Sequence, residues 1–119
     1  MNVAQMLAHV HRPLEVATGT LKLKRRLIGR LFGAMAKKSL LKDAPFSKGL
    51  PTDPNFVVKD AHDFATERAR LEAIVTRVGQ RGPAGLTTDP HPFFGPLTTA
   101  EWDAVMWKHL DHHLRQFSA

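Results

Sequence analysis

Proline placement constrains this chain more than any other feature of its 119 residues. Seven of the eight prolines fall in two glycine-bearing stretches. One is Ala44 to Phe56, with Pro45, Pro51 and Pro54; the other is Gly79 to Leu97, with Pro83, Pro90, Pro92 and Pro96. Proline at that density stops a helix and removes the donors a central strand needs. The segments between these stretches carry helical periodicity, and no run alternates polar and apolar residues well enough for a strand. There is no internal repeat. The expectation is one all-α domain over residues 1–119.

Four helices are expected. In the first, about Val3 to Thr18, the residues Val3, Met6, Leu7, Val10, Leu14 and Ala17 form one stripe. Pro13 predicts a kink or break near Arg12, and Gly19 a stop. The second, Leu21 to about Lys38, puts Leu27, Ile28, Leu31 and Met35 on a core face. Gly29 and Gly33 weaken it, and beside Arg30 the pair is no evidence for a membrane span. The third, Asp60 to Val78, has Asp60 as N-cap, a stripe of Phe64, Leu71, Val75 and Val78, and Gly79 as its end. The last opens with a capping box, Thr98-x-x-Glu101, flanked by Leu97 and Trp102 at hydrophobic-staple positions, and runs to Phe117.

The net charge of +6 belongs to one segment. Residues 20–42 hold Lys22, Lys24, Arg25, Arg26, Arg30, Lys37, Lys38 and Lys42 and no acid, while the remainder has 9 basic and 11 acidic residues. Such a patch suits phosphates or an anionic membrane, or is the solvated edge of an amphipathic helix. No recognised nucleic-acid motif accompanies it, so nucleic-acid and membrane partners rank last. No stretch nears the roughly 20 apolar residues of a membrane span. The N-terminus is interrupted by Gln5, His9 and His11, unlike a signal peptide, so the cytoplasm is the expected location. With no cysteine, disulfides, iron–sulfur clusters, zinc ribbons and cysteine nucleophiles are excluded.

What remains for chemistry is seven histidines. On the last helix Trp102, Val105, Met106, Leu110 and Phe117 share a broad face, opposite Glu101, Lys108, Asp111 and Arg115. His109 and His113, four residues apart, stack on the apolar side. A buried imidazole without partners costs free energy. Two readings answer this: core histidines satisfied by hydrogen bonds or water, or an i,i+4 pair holding a metal about 2.0–2.1 Å from each nitrogen. His112 projects towards the polar boundary, as surface or support. A third ligand could come from His9, His11, His62 or His91, and spacing does not choose among them. Asp103, placed on the apolar face two turns before His109, is the one candidate general base.

The C-terminal run His91-Pro92-Phe93-Phe94-Gly95-Pro96-Leu97-Thr98, with Glu101-Trp102 and Lys108 to Phe117, resembles the DinB/YfiT superfamily. More narrowly it resembles a bacterial branch of that superfamily named as a domain of unknown function. Gln5-Met6-Leu7-Ala8-His9-Val10 and Lys48-Gly49-Leu50-Pro51-Thr52, leading to Phe56, extend the likeness over nearly the whole chain. The resemblance implies a four-helix bundle with a divalent transition metal, zinc or nickel first, on three histidines. Carried over by motif, these are His9, His109 and His113. Gln116 matches a glutamine that often follows the second histidine of the pair. One departure is the helix that usually precedes the Gln-Met-Leu-Ala-His segment; without it, an apolar face would be left for the basic segment, a partner chain or a homodimer to cover.

Three neutral imidazoles would leave a divalent ion its full charge and an open position, suited to activating water or binding a thiolate. Characterised members of the superfamily include metal-dependent thiol S-transferases using low-molecular-weight thiols, and hydrolase-like enzymes. The resemblance thus implies a small-molecule substrate, with any thiol supplied by a cosubstrate. The loop carrying His91, Phe93 and Phe94 is long enough to line a pocket. A non-catalytic interaction domain is the alternative.

Overall fold

The computed structural model describes residues 1–24, 27–40 and 56–117, with the side chains of Ile28 and Leu40 left aside. The prolines of the first stretch, the Lys48–Thr52 match, Arg25, Arg26 and Lys42 lie outside the described residues. Helix α1 spans Val3–Ala17, α2 Leu27–Leu40, α3 Phe64–Arg81 and α4 Thr99–Gln116, with a 3₁₀ turn at Gly82–Gly85. Among the described residues there is no strand, only a bridge between His91 and Gly95. The expected small all-helical bundle is what forms.

Helix α1 is the centre of the bundle, packed against α3 and α4. It starts at Val3 as expected, on a capping box formed by Asn2 and Gln5, Asn2 Oδ1 accepting from the Gln5 N–H at 2.8 Å and Gln5 Oε1 from the Asn2 N–H at 2.9 Å. The helix runs through Pro13 without a break. Proline there removes the N–H that would have reached the His9 carbonyl, and the helix continues past it. Burial is also broader than one stripe: Ala4, Ala8, His9, His11 and Val16 are buried with the expected residues, while Val3 is exposed. Thr18 closes the last turn by donating its N–H and hydroxyl to the Leu14 carbonyl, and Gly19, at φ 78°, turns the chain away.

One core cluster joins Met6, Leu7, Val10 and Leu14 of α1 to Leu71 and Ile74 of α3, flanked by Val78, Met106, Leu110, Leu114 and Phe117. A second joins Val16, Ala17, Phe56 and Trp102. The third helix differs from expectation at both ends. Its N-cap is Asp63, whose Oδ2 accepts from the Thr66 N–H at 2.9 Å, whereas Asp60 lies outside the helix. It passes through Gly79 and stops at Gly82, whose φ of 59° suits glycine. Its buried line is Glu67, Leu71 and Ile74, with Phe64 and Val75 exposed.

The largest departure is α2. It begins at Leu27 rather than Leu21, and the face expected in the core is outside: Leu27, Leu31 and Met35 are 73%, 67% and 70% exposed. Among the described side chains of α2 the buried positions are Gly29 and Gly33. A Cβ on Gly29 would lie 2.7 Å from the Phe93 carbonyl oxygen, and one on Gly33 would collide with the same atom. The two glycines therefore let α2 lie directly on the backbone of the 91–96 turn. Lys37 fixes it there, donating to the Pro96 carbonyl at 3.2 Å and pairing with Glu101 at 3.0 Å.

Candidate metal centre

Helix α4 is built as expected. Thr98 Oγ1 accepts from the Glu101 N–H at 3.1 Å, Glu101 Oε1 accepts from the Thr98 N–H at 2.9 Å, and Leu97 packs with Trp102. This start sets the rotation of the helix, and with it the direction of His109 and His113 about three and four turns on.

His9, His109 and His113 come together. His9 Nε2 lies 3.1 Å from His109 Nε2 and 3.1 Å from His113 Nε2. The three candidate ligand atoms lie within 4.8 Å of one another. Two nitrogens 3.1 Å apart, each about 2.0–2.1 Å from one ion, subtend about 100° at it, close to the tetrahedral angle. The rings meet at steep angles, 80° for both the His9–His113 and His109–His113 pairs, so they converge edge-on rather than stack.

The tautomers follow from the partners of the other ring nitrogens. His9 Nδ1 is 2.6 Å from the Phe56 carbonyl, which can only accept, so the proton is on Nδ1. His113 Nδ1 donates to Gln116 Oε1 at 2.8 Å, and the Gln116 amide donates in turn to His112 Nε2 at 3.2 Å. In the neutral rings, then, His9 Nε2 and His113 Nε2 both present lone pairs to one point. Two acceptors cannot satisfy each other; an Nε2–H of His109, 3.1 Å from His9 Nε2, would serve His9, whereas a shared cation satisfies both at once.

An added proton is a poor candidate for that cation. Burial pushes the His109 imidazolium down to about 3 and that of His113 down to about 4, with the neighbouring histidines adding repulsion. Burial also lowers His9, against the raising effect of its bond to Phe56 and with a small further lowering from Arg12. The chain therefore holds the rings neutral, the form that binds metal.

The remaining candidates separate. Gln116 accepts from His113 and donates to His112, so both lie behind the His113 ring. His91 holds the turn: its Nδ1 accepts from the Phe93 and Phe94 N–H groups at 3.0 and 3.1 Å, its backbone pairs with Gly95, and its ring packs on Phe94 and Trp102. Asp103 is exposed, one residue round the helix from buried Trp102, rather than on the apolar face expected for it. His11 and His62, the other possible third ligands, face carboxylates instead of the triad. Buried His11 pairs with Glu15 at 2.7 Å, and His62 sits 3.3 Å from Asp60 and 3.1 Å from buried Glu67. The residue that sequence reasoning missed is Phe56, which acts through its backbone carbonyl and so leaves no side-chain signal.

Fold and site together define a small helical bundle with a three-histidine centre of the kind that can hold one divalent ion. The family described as "Protein of unknown function (DUF1569)" matches residues 1–119, and the chain belongs to it. Comparison with curated proteins and with solved structures found no match. Among the described residues no helix is long and apolar enough to cross a membrane.

Proposed function

We propose that this chain is a DinB-like metal-dependent enzyme, holding one zinc or nickel ion on His9, His109 and His113 and acting on a small molecule with water or a low-molecular-weight thiol. The observation that carries the reading is the pair of pinned lone pairs, His9 Nε2 and His113 Nε2, 3.1 Å apart with both Nδ1 protons engaged elsewhere. A divalent ion on three neutral ligands supplies Lewis acidity and an open position. The chain's own residues supply the rest. The Phe56 carbonyl orients His9, Gln116 orients His113, and burial keeps all three imidazoles unprotonated. The absence of cysteine places any reactive thiol on the cosubstrate, which suits the cytoplasm, where such thiols are kept reduced.

Elemental analysis of protein purified without a nickel column tests the centre. About one equivalent of a transition metal is expected, and its loss in His113→Ala. A metal content below a third of an equivalent, unchanged in that variant, would overturn the reading. Thiol-transfer and hydrolase assays against a panel of electrophiles test the activity, and uniformly negative results from metal-loaded protein would leave a binding domain.

A further inference from the structure

We infer that α2 is a docking helix for an anionic lipid surface. The helix is held to the bundle by its small-residue side, Gly29 and Gly33 on the Phe93 backbone. Its opposite side carries Leu27, Leu31, Phe32 and Met35, exposed by 73%, 67%, 51% and 70%. At 100° per residue, Leu27, Leu31 and Met35 advance by only 40° at each step, and Phe32 widens the same face. Four large apolar side chains are thus exposed on one broad face, which the contacts of α2 with the 91–96 turn do not use.

The charge around this face selects its occupant. Arg30 is exposed at its edge and Lys38 within it, Lys22 and Lys24 are exposed just before the helix, and residues 20–42 contain eight basic residues and no acid. A second copy docked face to face would set the exposed Lys22, Lys24, Arg30 and Lys38 against four more positive charges. An anionic bilayer meets both features at once: its headgroups attract the lysines and arginines, and its interface accepts leucine, phenylalanine and methionine to a shallow depth. Lys38 lies between Leu27 and Leu31 in projection and can reach the headgroups along its own methylene stem. The same arrangement gives no advantage on nucleic acid, where the apolar face would have no partner. At 14 residues, α2 lies on the surface and does not span.

The test is flotation of the full chain with vesicles of phosphatidylglycerol and with vesicles of phosphatidylcholine. The chain is expected to float with the anionic vesicles only, with binding that weakens as salt rises and is unchanged by chelator, which separates this result from the metal reading. Lys24→Gln with Lys38→Gln should lower partitioning about 30-fold, roughly fivefold for each charge removed. Leu31→Asp with Phe32→Asp should abolish it while leaving the melting temperature in place, since both side chains are exposed. Failure to bind phosphatidylglycerol vesicles overturns the inference. So does binding that survives the aspartate pair, which would show charge alone at work. A wild-type dimer in sedimentation that the aspartates dissociate would assign the face to a second copy, and a clear fall in melting temperature would assign it to a segment of the same chain; either result overturns the lipid reading.

Discussion

Replacing Gln116 with leucine removes the acceptor of His113 Nδ1–H and the amide donor to His112, and leaves the core untouched. The residue is exposed, so its substitution should change folding stability by no more than about 0.5 kcal/mol. What it loses is the 2.8 Å bond from His113 Nδ1–H, the bond that leaves the lone pair on Nε2 and aims it at His9. Without that bond the His113 ring can rotate or place its proton on Nε2, and each such state must be reversed before a metal can bind. Losing a partner of this kind costs about 10–100-fold in metal affinity, or roughly 1.4–2.8 kcal/mol. Gln116→Glu separates orientation from mere bulk, because a carboxylate oxygen accepts the same bond more strongly. The assay is competition for zinc between metal-free protein and a chromophoric chelator, with melting curves as the control on folding. Gln116→Leu should fall by the stated factor at an unchanged melting temperature, and Gln116→Glu should match or exceed wild type. A leucine variant within twofold of wild type, or a glutamate variant as weak as the leucine one, would refute the role of the pinned tautomer.

Two glycine substitutions should act with opposite signs. Gly79→Ala lies inside α3 with nothing near its Cβ, so helix propensity should raise stability by about 0.5–1 kcal/mol, or about 2–4 °C in melting temperature. Gly29→Ala has the same propensity gain, but its Cβ meets the Phe93 oxygen and Cα at 2.7 and 2.8 Å; overpacking against backbone costs about 1–3 kcal/mol and should win, and a variant melting at or above wild type would show that α2 is not seated on the turn. For the metal-free protein, acid should destabilise. The folded-state values of His109 and His113, about 3 and about 4, lie below the ordinary 6.5, so their contribution is complete above pH 6.5 and is lost as pH falls from there towards those values. The slope from His109 is at most about 1.4 kcal/mol per pH unit, with less from His113, where solvent screens the charge. His62, raised chiefly by its bond to Glu67, works the other way, being most favourable below pH 6.5. Urea midpoints at pH 7 and pH 5 check this, and equal midpoints would contradict it.

The parts of this molecule legible in the sequence are those whose cause is local. The start of α4 could be placed because Thr98 and Glu101 satisfy each other's backbone within one turn. The facing of His109 and His113 followed, since four residues of helix fix their relative direction. His9 could not be chosen by spacing over His11. Both are buried in α1, and only the approach of α4 from one side makes the first a partner of the triad and leaves the second to Glu15. The N-cap of α3 was misplaced by three residues for a related reason: Asp60 and Asp63 are equivalent as cap residues, and only the position of Thr66 decides.

Helix α2 shows where pattern reasoning inverts. Leu27, Leu31 and Met35 form as regular a stripe as any in the chain, and a stripe of large apolar residues is ordinarily read as the buried face. That inference assumes that a helix packs through its large side chains. Here the partner is backbone, the Phe93 carbonyl, and backbone can be approached closely only where there is no Cβ, so the buried face is the one with the least hydrophobic surface. The 91–96 turn consequently has two clients. His91 ties it to Trp102 of α4 and Lys37 ties α2 to Glu101 at the start of the same helix. A force that shifts α2 therefore acts first on the segment that fixes the rotation of α4, and so on the direction of His109 and His113. If lipid docking and metal binding both occur, the loss of zinc affinity in Gly29→Ala should exceed that of any exposed-face substitution such as Leu31→Asp, because the first moves the turn and the second only changes what the helix meets outside.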